Sequence, residues 1–254
     1  MWLRGGAVPA RERCVAIVGS RAASPYGAEL AHRLSADLAA LGLAVVSGLA
    51  RGIDAAAHRG ALAGGGRTVA VVPSGLDRVT PAHHAALADE IAERGTLLSE
   101  LASGAPFGPG AFVRRNRLIA ALAGVTVVVE AAEKSGALTT AAWAQALGRT
   151  VLASPGDVDR PTARGTLALL RGGARPCGDA GDVLSALRGL ASAGAAPADP
   201  AARMAAALDV APRTLEDLAA RAGLGAPAAL AELLRLEWAG VALPRAGQRW
   251  TARR

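Results

Sequence analysis

Val15-Ala16-Ile17-Val18-Gly19-Ser20-Arg21 is the stretch on which the fold turns. Its first four residues are apolar and mostly β-branched, as a buried strand requires, and Gly-Ser then ends the run. A helical pattern follows from Tyr26 to Leu41. The same strand, turn and helix unit recurs along the chain. Further strand-like runs lie at Ala44–Val46, Thr68–Val72, Thr96–Leu98, Val125–Val129 and Thr150–Leu152. Helical patterns fall between most of them, at Ile53–Ala63, Ala82–Glu93, Phe112–Leu122 and Leu138–Leu147. Such alternation predicts an α/β fold with a mainly parallel sheet covered by helices on both faces. Ligands of these sheets sit beyond the carboxyl ends of the strands, so the loops after Val18, Val46, Val72, Leu98 and Val129 are expected to converge.

Outward from this core, Gly189–Pro200 is a run of small residues that cannot pack a core, and it reads as a linker. The chain accordingly divides into residues 1–190, a linker over 191–202 and a module over 203–254. In the last part Thr214 is placed to cap a helix from Leu215, a second helix is expected over Ala228–Trp238, and Val241–Trp250 forms a two-stranded wing. That is a winged-helix-like pattern. Its second helix carries only Arg235 against Glu232 and Glu237, so a protein-interaction role and a DNA-contacting role stand as equal alternatives.

The 254 residues carry a formal charge of +7, and Lys134 is the only lysine. Genomic base composition explains arginine replacing lysine; it does not explain the positive excess, which attracts phosphate polymers and favours nucleic acid as a partner. No apolar run reaches the roughly 18 residues that span a bilayer, and no secretion signal is apparent. Cys14 and Cys177 are too few for a disulfide framework and form no metal-ligand spacing with the four histidines. A cytoplasmic protein without metal or cofactor is the expectation.

Four constellations carry the chemistry. Gly19-Ser20-Arg21, with Ser24, offers helix-start amides, hydroxyls and a guanidinium to a phosphate, although a tight turn explains the glycine equally well. Ser47-Gly48-Leu49-Ala50-Arg51-Gly52 repeats the arrangement at the next strand end, and Asp54 and His58 follow four apart, a spacing better suited to a structural contact than to catalysis. Arg114-Arg115-Asn116-Arg117 opens a helix with cations, which opposes the helix dipole unless an anion or a carboxylate answers them. Arg114 is either a contact or solvated, and Arg117 has Glu100 and Glu130 as alternative partners. Finally, Lys134-Ser135-Gly136 follows the strand ending at Val129 and can hold one phosphate.

In this order the four constellations resemble the DprA/Smf family of DNA-processing proteins from about Val15 to Leu187. The resemblance rests on Ser47-Gly48-x-Ala50-x-Gly52-Ile53-Asp54-x-x-x-His58, on Arg115-Asn116-Arg117-x-Ile119, on Glu130-Ala131-x-x-x-Ser135-Gly136-x-Leu138-x-Thr140-Ala141, and on Pro155-Gly156 followed by Gly165. It implies a Rossmann-like homodimer that binds single-stranded DNA, protects incoming strands and helps load RecA recombinase in natural transformation, without catalysis. Val113, Thr80 and Thr166 depart from the family's usual residues, and barely a dozen residues precede the first strand where relatives often carry a helical domain. The rivals are a nucleotide-cleaving phosphoribohydrolase on a related fold, whose Pro-Gly-Gly-x-Gly-Thr loop is replaced here by Lys134–Thr139, and an assembly protein with incidental DNA contacts. Aromatics are 3% of the chain, so base stacking is expected to be sparse and binding to rest mainly on phosphate capture.

Overall fold

A computed structural model describes residues 1–194, 200–247 and 249–252. The chain forms two compact units, Met1–Leu187 and Arg188–Arg254. In the first, strands β1 (Trp2–Gly5), β2 (Cys14–Val18), β3 (Ala44–Ser47), β4 (Thr68–Val72), β5 (Thr96–Ser99), β6 (Val125–Val128), β7 (Thr150–Ala153) and β8 (Arg175–Pro176) make one sheet in the order β1-β5-β4-β3-β2-β6-β7-β8. All neighbours are parallel except β1, which runs antiparallel along β5. The helices between them are α1 (Pro25–Ala40), α2 (Ile53–Ala63), α3 (Ala85–Arg94), α4 (Gly110–Leu122), α5 (Ala137–Ala146) and α6 (Arg164–Arg171), followed by α7 (Ala180–Gly194).

The central strands are buried along their whole length because both faces are covered, and successive side chains feed different faces. Ala16, Val18, Val69 and Val71 pack with Leu118, Ile119, Ala141 and Ala144 from α4 and α5. Ala70, Val72 and Leu97 pack instead with Leu62, Leu87, Ala88 and Ile91 from α2 and α3. The Rossmann-like architecture and its helices on both faces are as the sequence predicts. The edge strand β1 is an addition: Trp2-Leu3-Arg4-Gly5 is exposed throughout and has none of the burial pattern that marked the other strands.

The second unit contains α8 (Pro200–Ala207), β9 (Arg213–Thr214), α9 (Leu215–Ala222), α10 (Ala226–Trp238), β10 (Ala242–Arg245) and β11 (Arg249–Ala252). Thr214 Oγ1 accepts from Asp217 N at 3.3 Å, capping α9 as expected. Met204, Leu218, Ala229 and Leu233 form its core beside the antiparallel sheet β10-β11-β9. This is a winged-helix module. Of the segment expected as linker, residues 191–194 complete α7, residues 200–202 open α8, and 195–199 lie outside the described residues. Alanine-rich composition reads as flexible, yet alanine is the best helix former.

Candidate functional site

The sheet order reverses at β2, whose neighbours β3 and β6 lead in opposite directions. A crevice therefore opens between the loop after β2 and the loop after β6, at the carboxyl edge of the sheet. One clamp joins these loops. Ser20 N donates to Glu130 O at 2.7 Å, and the buried Glu130 carboxylate accepts from Ser24 N at 2.9 Å and Ser24 Oγ at 2.5 Å. Ser24 Oγ also accepts from Gly27 N at 3.0 Å, capping α1 ahead of Pro25. The Ser24 hydroxyl, counted from sequence among the phosphate ligands, is thus consumed by the scaffold.

A cleft of about 820 Å³ lies at this edge, lined by Gly19, Ser20 and Arg21 on one side and by Lys134, Ser135 and Gly136 on another. Phe112, Arg115 and Asn116 of α4 complete it. Arg21 and Lys134 are exposed, and among the described residues neither has a carboxylate partner. The same holds for Arg51 on the turn before α2 and for Arg114 on α4. Ser135 Oγ accepts from Ala137 N at 3.3 Å, at the start of α5. Asn116 Nδ2 donates to Gly136 O at 3.1 Å and to Thr139 Oγ1 at 2.7 Å, which ties the Lys134 loop to α4.

The remaining residues expected to bind phosphate are engaged by the protein itself. Ser47 is fully buried and its hydroxyl donates to Ile17 O at 2.6 Å, so it binds the sheet rather than a ligand. Arg115, only 5% exposed, donates from Nη1 to Gly48 O at 2.7 Å and also to Val71 O. Asp54 accepts from Gly48 N at 3.1 Å and from Ala50 N at 3.4 Å, so opposite charges hold the turn from its two sides. Burial pulls the Arg115 guanidinium down to about 10, opposed by Asp54, and it stays charged at neutral pH. Burial likewise raises the Asp54 carboxyl, opposed by Arg115 and the two turn amides. Gly52 has φ +75°, and a Cβ there would sit 2.2 Å from Ser20 O, which explains the glycine by close approach of α2 to the first loop. Arg117 pairs with Glu100, the first of its two expected partners.

Asp54 and His58 do not pair. His58 Nδ1 lies 2.7 Å from Thr68 Oγ1, which itself donates to Val45 O at 2.7 Å, so the imidazole donates and is a structural group. Sequence reasoning missed the Ser24–Glu130 clamp, although Ser24 before Pro25 carries the signature of a helix cap. It also passed over Phe112, whose ring lies 5.0 Å from the Arg21 guanidinium carbon. A separate recess of about 240 Å³ is lined by Tyr26, Glu130, Gly156, Arg160 and Thr166.

The sequence model of the DNA recombination-mediator protein A family matches residues 1–188, and that of the DprA winged helix domain matches 189–248. A DprA homologue of Mycobacterium tuberculosis is 43% identical over 254 residues, covering 94% of this chain and 64% of that protein. The X-ray structure of DprA from Streptococcus pneumoniae superposes with a TM-score of 0.67 at 37% identity, over 72% of this chain and 64% of the other. DprA from Helicobacter pylori, solved to describe its single-stranded DNA binding mode, gives a TM-score of 0.65 at 29% identity, over 75% of this chain and 86% of the other. The chain thus spans a little under two thirds of the length of the first two.

Proposed function

The chain belongs to the DNA recombination-mediator protein A (DprA/Smf) family of DNA-processing proteins, and from that premise we propose that its switch-point cleft captures the phosphates of single-stranded DNA. Arg21 and Lys134 supply the charge, the Ser20 and Ser135 hydroxyls and neighbouring amides supply directed hydrogen bonds, and Arg51 and Arg114 extend the cationic rim. The observation that carries this reading is that Arg21 and Lys134 face one cleft and, among the described residues, neither is ion-paired; the carboxylate in the lining, Asp54, is held by the amides of Gly48 and Ala50. Exposed cations lining one cleft set up a positive potential there that attracts phosphate. Arg115, Asn116, Gly48 and Gly52 act as the frame.

The proposal extends to physiology: a cytoplasmic homodimer that shields incoming single strands and helps load RecA recombinase during natural transformation. It includes no catalytic step. The Glu130 carboxylate, which a nucleotide-cleaving relative of the fold would need free, has both oxygens engaged by Ser24. The H. pylori neighbour supports the choice of single-stranded DNA. Titration of labelled single-stranded and duplex oligonucleotides tests the reading. Tight, salt-sensitive preference for the single strand is expected; equal affinity for duplex would contradict it.

A further inference from the structure

The chain contains two phenylalanines, Phe107 and Phe112, and the fold sets them side by side with ring centroids 6.4 Å apart and planes inclined by 57°. Each ring is covered by an arginine: Arg21 lies 5.0 Å from the Phe112 centroid and Arg78 lies 5.9 Å from that of Phe107. Pairwise contacts thus link Arg21 to Phe112, Phe112 to Phe107 and Phe107 to Arg78; Arg21 and Phe112 line the cleft, and Phe107 and Arg78 are not in its lining. The Phe107 loop is braced against the Arg78 segment, because Asp77 Oδ2 accepts from Gly104 N at 3.0 Å and Ser99 Oγ donates to Ser74 O at 2.6 Å. Arg78 is exposed and has no carboxylate partner among the described residues.

A tilted pair leaves ring surface for another planar group, and a guanidinium occupies such a face weakly when exposed. A nucleobase is a larger planar occupant, and the arginine it displaces is then free to meet the adjoining phosphate. We propose that Phe107 and Arg78 form a base-stacking subsite for single-stranded DNA just outside the phosphate cleft, so that the strand leaves the cleft across Phe112 towards Arg78. This rests on the single-stranded DNA reading of the cleft itself. It also modifies the expectation from composition: aromatics are scarce, and both phenylalanines are placed where a base can use them.

The test compares a labelled thymidine 20-mer with an abasic 20-mer of equal charge, against wild type, Phe107→Leu and Phe107→Trp. Phe107→Leu is expected to weaken thymidine binding by about fivefold or more, the low end for a lost base–aromatic stack. Abasic binding and the melting profile should stay at wild-type level, and Phe107→Trp should restore thymidine binding. Unchanged thymidine affinity in Phe107→Leu would overturn the subsite while leaving the phosphate cleft standing. Equal loss on both oligonucleotides would overturn it as well, by making Phe107 a structural residue. Failure of wild type to bind either oligonucleotide would overturn the cleft and the subsite together.

Discussion

Ser24 and Glu130, 106 residues apart in sequence, are joined by two hydrogen bonds, from the Ser24 amide at 2.9 Å and from its hydroxyl at 2.5 Å. The contact closes the base of the switch point and fixes the loop that carries Ser20 and Arg21. Glu130→Gln replaces one of the two acceptor oxygens by an amide that cannot receive a donor. A loss of about 1–3 kcal/mol is expected by urea denaturation, the range for a buried polar group left unpaired. Retention of full stability would mean that the clamp contributes little.

Asn116→Ala separates positioning from charge. The side chain ties Gly136 and Thr139 to α4 without itself carrying charge. Single-strand affinity is expected to fall severalfold, in line with the roughly 1 kcal/mol of a hydrogen bond, while the dependence of log affinity on log salt keeps its wild-type slope. A reduced slope would show that Lys134 had been lost from the contact altogether.

Gly52→Ala should damage both stability and binding. The added Cβ meets Ser20 O at 2.2 Å, and the φ of +75° disfavours any side chain. A loss of about 1–3 kcal/mol is expected from the backbone strain alone, with weaker oligonucleotide binding because the displaced atom belongs to the Ser20 loop. Wild-type behaviour in both assays would contradict this account of the glycine.

Acid sensitivity should trace partly to His58. Burial, chiefly, and then the charge of Arg115 lower its imidazole from 6.5 to about 3. The unfolded chain therefore binds the extra proton between these values and the folded chain does not. Stability held in full above pH 6.5 is lost as pH falls towards 3, at up to about 1.4 kcal/mol per unit. His58→Gln should flatten the profile of unfolding free energy between pH 6.5 and 4. An unaltered profile would locate the acid sensitivity elsewhere.

The sheet was legible because its central strands are short apolar, often β-branched runs broken by Gly-Ser, Ser-Gly or a polar loop, and a helix follows before the next strand in most cases. β1 escaped because an exposed edge strand has no periodic burial, and α8 because an Ala-rich stretch reads equally as linker or helix. At the site, the loops named from sequence meet around one cleft, but sequence did not distinguish buried groups from open ones. Ser47 and Arg115 carry the same chemical groups as Ser20 and Arg21; what separates them is burial, set by tertiary packing rather than by local pattern. The helix-dipole cost expected for this cluster does not arise, because α4 begins at Gly110 and Arg114–Arg117 lie past its first turn; Arg115 meets backbone carbonyls and Arg117 meets Glu100, leaving Arg114 exposed.

The central claim is that Arg21 and Lys134 together neutralise phosphates of a single strand. Its most direct test is the salt dependence of single-strand affinity for wild type and the Arg21→Ala/Lys134→Ala double variant, over the same salt series. Each cation in contact with a phosphate adds about 0.7 to the slope of log affinity against log salt. The double variant is therefore expected to bind more weakly with a slope shallower by about 1.4. An unchanged slope, or a flat one already in wild type, would contradict the assignment.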